Sequence, residues 1–213
     1  MGAHIEVERG TLETIYHRRA VRSYKPDKLD EATIRKLLDA AVQAPTAMHL
    51  EPWAFVVIQD RALLARLSEK AKILAQAELD ARHHELLKAP GVSAASDHLT
   101  LLTNPRFNIF YDAGTLIVIC GKPLGRFVTA DCWLAAENLM LAACAIGLGT
   151  CCIGFALPVL QLPDVKQELG IPQQLDPIAA IIVGHPKGET PMVPRKPAEV
   201  LQWLPAIVPA HGE

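Results

Sequence analysis

Apolar positions along this chain switch between helical and strand spacing, and the switches fall at prolines, glycines and short polar residues. Leu12, Ile15, Tyr16 and Arg19 keep helical spacing, so a short helix should close at Arg18 and Arg19, with Arg22 just beyond it. Lys25-Pro26 then forces an extended chain. Asp30 reads as the N-cap of a second helix carrying Ile34, Leu37, Leu38, Ala41 and Val42 on one face. It stops before Pro45, and the stretch from Ala44 to Pro52 is a loop framed by prolines. Trp53 to Ile58 is short, apolar and rich in β-formers, so it reads as a buried strand.

Asp60 caps a long helical pattern through Leu63, Leu64, Leu67, Ile73 and Leu74 to about Lys88. Pro90-Gly91 breaks it, and weak periodicity follows up to Phe110, so the segment of about 61–110 is expected to carry a lid or substrate cap. Thr115 to Cys120 is another apolar strand. Thr129 or Asp131 starts a helix to about Ile146 that is apolar nearly all round, with Trp133, Leu134, Leu139, Met140 and Leu141. Such a helix belongs in the core or in a subunit interface. Gly147-Leu148-Gly149 stops it, and Cys151 to Phe155 extends. Pro158 opens a helix through Leu169, Ile178 to Val183 is a strand, and prolines punctuate the tail after Gly184. No internal repeat or low-complexity tract interrupts this order.

A length of 213 residues suits one domain spanning 1–213, and 50% hydrophobic against 21% charged residues can fill a core. A net charge of −2 argues against a nucleic-acid surface. No apolar run approaches the length of a membrane span, because Glu137 and Asn138 interrupt the best candidate. The first residues are charged and lack the apolar stretch of a signal peptide; Gly2 invites myristoylation, but Glu6 stands where Ser or Thr is wanted. Five cysteines without a CxxC pair suit reduced thiols, and the expected location is the cytoplasm.

The first candidate chemistry lies in His17-Arg18-Arg19-Ala20-Val21-Arg22, with three guanidinium groups in five positions. A fork of Arg donors suits a phosphate, since each planar guanidinium can bond two oxygens and stays charged. The alternative is that these cations complement the dipole at a helix C-terminus. Gly147-x-Gly149-x-x-x-x-Gly154 fails as a dinucleotide fingerprint, because its third Gly is late and it follows a helix. His84-Glu85-Leu86-Leu87 is followed by Lys88, so it is not a zinc-protease helix, and Asp80 with His84 reads as a solvated face. Cys151-Cys152 is either a reactive thiol pair or two buried structural cysteines.

Taken in order, Arg18-Arg19-Ala20-Val21-Arg22, Ala44-Pro45-Thr46-Ala47 leading to Pro52-Trp53, Gly147 to Gly154, and Pro194-Arg195-Lys196-Pro197 resemble the nitroreductase family from about Thr11 to Val200. The segment from Leu63 to Arg106 carries no matching motif. The resemblance implies an α+β fold with a central mixed sheet flanked by helices. It also implies an intertwined homodimer with an exchanged C-terminal arm of about 186–213 and a flavin site at the dimer interface. It further implies FMN as cofactor, with Arg18 and Arg195 on the phosphate and Arg19 and the Ala20 backbone near the ribityl chain. Arg22 would sit at the N1 edge of the ring. Pro45, Thr46 and Ala47 would reach the flavin from the other subunit, with His49 on its border. The backbone amides of Ile153 and Gly154 would face N5 and O4. His49 and Glu51 depart from the usual Asn and Gln, and Ala20 stands where Ser is common. The implied activity is hydride transfer from NADH or NADPH through the flavin to a small oxidised acceptor, a nitroaromatic, quinone or related compound, with no catalytic side chain, no nucleic acid and no membrane partner. Two relations of that activity stay open: a dehalogenase or flavin-modifying member, and an FMN-binding or sensing protein without turnover. A thiol enzyme using Cys151 or Cys152 is a separate alternative.

Overall fold

The computed structural model describes residues 10–86 and 102–204, with side chains placed outside 79–86. Helix α1 (Thr11–His17) and helix α2 (Glu31–Ala41) precede strand β1 (Trp53–Ile58) and the long α3 (Arg61–Leu86). Strand β2 (Thr115–Gly121), helix α4 (Val128–Ala145) and strand β3 (Gly149–Cys152) follow, then α5 (Leu157–Leu160), α6 (Pro163–Glu168) and strand β4 (Asp176–Gly184). The sheet runs β1-β2-β4-β3. All three ladders are antiparallel, so the mixed character implied by the resemblance is confined here to a single parallel bridge, Ala20 to Thr150. That bridge comes from the non-strand segment after α1, which lies along the outer edge of β3.

The two central strands are buried on both faces, which is why they read as unbroken apolar runs. Alternation sorts their side chains: Leu116, Val118, Ala180 and Ile182 join one core with α3, α5 and α6. Ile117, Ile119, Ala179, Ile181 and Val183 join a second core with α2 and α4. The result is helix, sheet and helix in three layers, an α+β arrangement.

Local chemistry sets the element ends. Asp30 accepts the Thr33 amide at 2.7 Å, and bonds from Thr33 hold its carboxyl below the ordinary range. Asp60 accepts the amides of Ala62 and Leu63 at 2.8 and 3.1 Å, as the cap reading requires. Helix α4 begins at Val128, ahead of both expected starts; Asp131 is buried in its first turn and accepts the Ala47 amide of the proline-framed loop at 3.3 Å. At its other end Gly147 takes φ +78°, while its amide bonds Cys144 and that of Leu148 bonds Ala143. This αL turn is one that glycine adopts without strain.

Other boundaries differ from expectation, and α1 ends at His17, one residue before Arg18. The single helix expected from Pro158 to Leu169 is two helices, because Pro163 has no amide to continue the first and instead opens the second. The extended run expected to reach Phe155 ends at Cys152, and Gly154–Ala156 forms a 3-10 turn.

The expected cap segment divides. Its first part is α3, a core helix burying Leu64, Leu67 and Ala71, and its last part, 102–110, packs against α3. Pro90-Gly91 and Lys88 lie outside the described residues, as do the N-terminal residues 1–9 and the side chains of Asp80 and His84. The tail runs to 204 without regular structure and is exposed from 191 to 204. No helix among the described residues is long and apolar enough to cross a membrane.

Candidate functional site

After α1 the chain extends beside β3. Val21 donates to Thr150 at 2.9 Å, Lys25 to His185 at 2.8 Å, and Lys187 returns a bond to Ser23 at 2.9 Å. The approach is close enough that a Cβ on Gly149 would meet Val21 at 2.7 Å, so only glycine fits there. Neighbours on an extended segment point to opposite sides. Val21, with Arg18 and Arg19 before it, lines a groove of about 350 Å³, whereas Arg22 enters a separate cleft of about 580 Å³.

The three guanidinium groups do different things. Arg18 donates Nε to Glu137 at 3.1 Å and lines the groove. Arg19 donates to the carbonyls of Tyr16 and Arg18 at 2.6 and 2.9 Å, so its charge closes the C-terminal end of α1. Arg22 pairs with no carboxylate among the described residues; its guanidinium carbon lies 6.0 Å from the centroid of the Tyr111 ring. The bonds of Arg19 suit the dipole reading, although it lines the groove with Arg18, while Arg22 lines the cleft.

The cleft is apolar in body, with Leu102, Ile109, Ile153 and Pro158, and aromatic at Phe107, Tyr111 and Phe155. Such a volume and lining suit a flat organic ligand. Gly154 lies at its wall, where a Cβ would meet nothing within 4 Å. Its amide bonds no protein group among the described residues. The Ile153 amide, expected to face a ligand beside it, donates instead to Ala180 at 2.8 Å, because it prolongs the β3–β4 ladder. Ile153 thus contributes its side chain to the cleft and Gly154 the free donor.

Pro45, Thr46, Ala47 and His49 line neither the cleft nor the groove. Their loop is tightly wound: Met48, His49 and Glu51 all have positive φ, near 56°, 55° and 44°. Such clustering of strained residues is a mark of functional loops. Arg195 lies in the exposed tail and lines neither cavity. The backbone of Ala20 forms the bridge to Thr150.

The vicinal cysteines separate across β3. Cys151 Sγ reaches the Cys152 carbonyl at 3.6 Å, and Cys152 Sγ lies 3.5 Å from the Met140 sulfur. Burial pushes the Cys151 thiol up, against the pull of Arg22, and raises Cys152 to about 11. Both line the cleft, Cys151 buried and Cys152 exposed, and a raised thiol pKa disfavours the nucleophilic thiolate. No group of metal-ligating side chains occurs among the described residues. Motif reading missed Phe107, Tyr111 and Glu137. The only signal for the first two was an aromatic cluster, Phe107, Phe110 and Tyr111, at the end of a weakly patterned stretch.

A groove lined by Arg18 thus lies on one side of an extended segment, and an apolar cleft with the cation of Arg22 on the other. Comparison with known proteins supplies the class. The nitroreductase family profile matches residues 15–185, and the chain belongs to that family. A relative from Archaeoglobus fulgidus, named as an NADH dehydrogenase/NAD(P)H nitroreductase, is 30% identical over 84% of this chain and 86% of its own. Protein DrgA of Synechocystis is 36% identical over 69% and 72%. Among solved structures, a nitroreductase with bound FMN from Bacteroides fragilis superposes with a TM-score of 0.70 at 24% identity, covering 91% of this chain and all of that one (100%). Iodotyrosine deiodinase bound to FMN and 3-iodo-L-tyrosine gives 0.68 at 20% identity over 90% and 97%. The fold is the nitroreductase fold.

Proposed function

We propose that this chain is an FMN-dependent oxidoreductase that works as a homodimer and carries hydride from NADH or NADPH to a small oxidised acceptor, a nitroaromatic, quinone or related compound. The observation that carries the reading is the division of labour along residues 18–22, which turns one cation to a groove and another to an apolar cleft. The residues present fit FMN. Arg18, through its unused amino groups, suits the phosphate, and the free Gly154 amide suits a ring acceptor such as N5 or O4. Arg22 suits the N1 edge, where negative charge develops on reduction. When bound, FMN supplies the hydride chemistry.

The chain's own residues then bind and orient. The apolar walls of Ile153, Leu102 and Pro158 exclude water, which strengthens the field of Arg22 inside the cleft. The loop of Pro45, Thr46, Ala47 and His49, and Arg195 on the tail, serve the partner's site rather than their own; this accounts for their absence from both cavities. A covering subunit is also what the outer face of α4 calls for, since Trp133 and Leu134 are 41% and 46% exposed, and Leu12 and Ile15 on α1 are exposed as well. The test is the visible spectrum of the purified protein and its bleaching by NADH without oxygen. A yellow protein that bleaches within seconds supports the reading. Colourless protein that takes up no FMN, or yellow protein that neither NADH nor NADPH bleaches, overturns it.

A further inference from the structure

Tyr111 at the cleft wall and Asp112 after it hold φ near 51° and 57°. L side chains rarely adopt that region, and it persists only where the surroundings fix it. Here they do. Asn108 accepts the Phe110 amide at 2.9 Å and donates to the Asp112 carboxylate at 3.1 Å, while Tyr111 donates its amide to the Asn108 carbonyl at 2.9 Å. The stretch is in turn fastened to α3: Ser68 accepts the Ile109 amide at 3.0 Å, and the buried Lys72 ammonium donates to the Phe107 carbonyl at 3.0 Å. Phe107 then meets the Tyr111 ring edge-on at 5.5 Å and 78°.

The ring so held faces Arg22, and we propose that Tyr111 is a positioning residue whose ring fixes the Arg22 guanidinium toward the flat ligand of the cleft. A carboxylate could hold a guanidinium equally well, but it would cancel the charge that the ligand must feel. An aromatic face attracts the cation through its quadrupole and leaves the net charge intact. Arg18, whose partner is Glu137, shows the other arrangement in the same segment. Backbone strain is thus stored to keep an unquenched cation in one place. The inference rests on the FMN reading, with Arg22 acting where charge appears on reduction.

The experiment measures the midpoint potential of the FMN-loaded protein against a reference dye, with flavin content assayed separately. Tyr111→Phe keeps the ring. Tyr111→Asn and Tyr111→Gly remove it and suit a positive φ, so each retains the fold. Tyr111→Phe should leave the reduced-over-oxidised affinity ratio within about twofold. Both ring deletions should lower it about tenfold, which for a two-electron couple is about 30 mV. In an Arg22→Ala background the same deletions should add nothing, because the residue they position is gone. A ring deletion that shifts the potential equally with and without Arg22, or leaves it unmoved, overturns the proposal while the FMN reading stands. Wild-type protein that takes up no FMN overturns both.

Discussion

A guanidinium beside a carboxylate and a guanidinium beside an aromatic ring offer a ligand different charge, and Arg18 and Arg22 are one of each. Phosphate keeps its charge through turnover, so Arg18→Ala should weaken FMN binding about tenfold or more and leave the midpoint potential in place. Arg22→Ala should retain FMN and lower the potential by about 30 to 60 mV, since its partner charge exists only in the reduced state. Equilibrium dialysis and dye titration separate the two; a potential that follows Arg18 instead would exchange their roles. The thiols give a pH prediction. Burial raises Cys120, Cys132 and Cys152 to about 11 in the folded chain. An acid whose pKa is higher folded than unfolded favours the folded state below the ordinary thiol value and loses that contribution as pH rises toward 11. Iodoacetamide at pH 8 should therefore label the native protein far more slowly than urea-unfolded protein, and melting temperature should fall as pH climbs from 9. Rapid native labelling of Cys152 at pH 8 would restore the thiol alternative. Arg18 and Arg22 were legible as ligand candidates because charge spacing is local. The helix-end role of Arg19 was legible as the alternative, whereas the ring beside Arg22 was not, since it comes from a residue far along the chain.

At the level of elements, Gly149 is the joint on which the site depends. Its missing side chain lets β3 approach the arginine segment, and a methyl would enter space that Val21 fills. Gly149→Ala should destabilise by about 1–3 kcal/mol and weaken FMN binding, as the bridge from Ala20 to Thr150 is pushed open. Val21→Ala in the same chain should restore part of both, which thermal melts and flavin titration can measure. Unrelieved loss in the double variant would place the cause elsewhere. The sequence showed Gly147 and Gly149 as a helix stop, and Gly147 is that stop. The close contact at Gly149 was invisible, because no local pattern names the chain that will lie beside a strand. Pro163 carries a legible break, because a proline inside a helical pattern has no amide for the preceding turn.

For the whole molecule, the α+β class follows from strands and helices that alternate in period, and the apolar outer face of α4, with Trp133 and Leu134 exposed, was legible from its lack of a polar side. Strand order was not, because apolar runs state burial and leave pairing open. The outer face of α4 supplies the test of assembly. Leu134→Glu, which leaves both cores untouched, should convert a dimer to a monomer in sedimentation and strip FMN with it. A Leu134→Glu protein that stays dimeric and yellow would place the interface on another face.

The position of β4 also bears on biosynthesis. It is the last strand among the described residues, yet it lies between β2 and β3 in the sheet and bonds both. Until residues 176–184 have left the ribosome, β3 has no ladder partner, and the arginine segment has no fixed edge to lie along. The cradle is thus among the last features of the subunit to form, and flavin cannot recruit it early. A nascent chain stalled with β4 still in the exit tunnel should be readily cut by protease whether or not FMN is supplied, and protection should arrive only when β4 emerges.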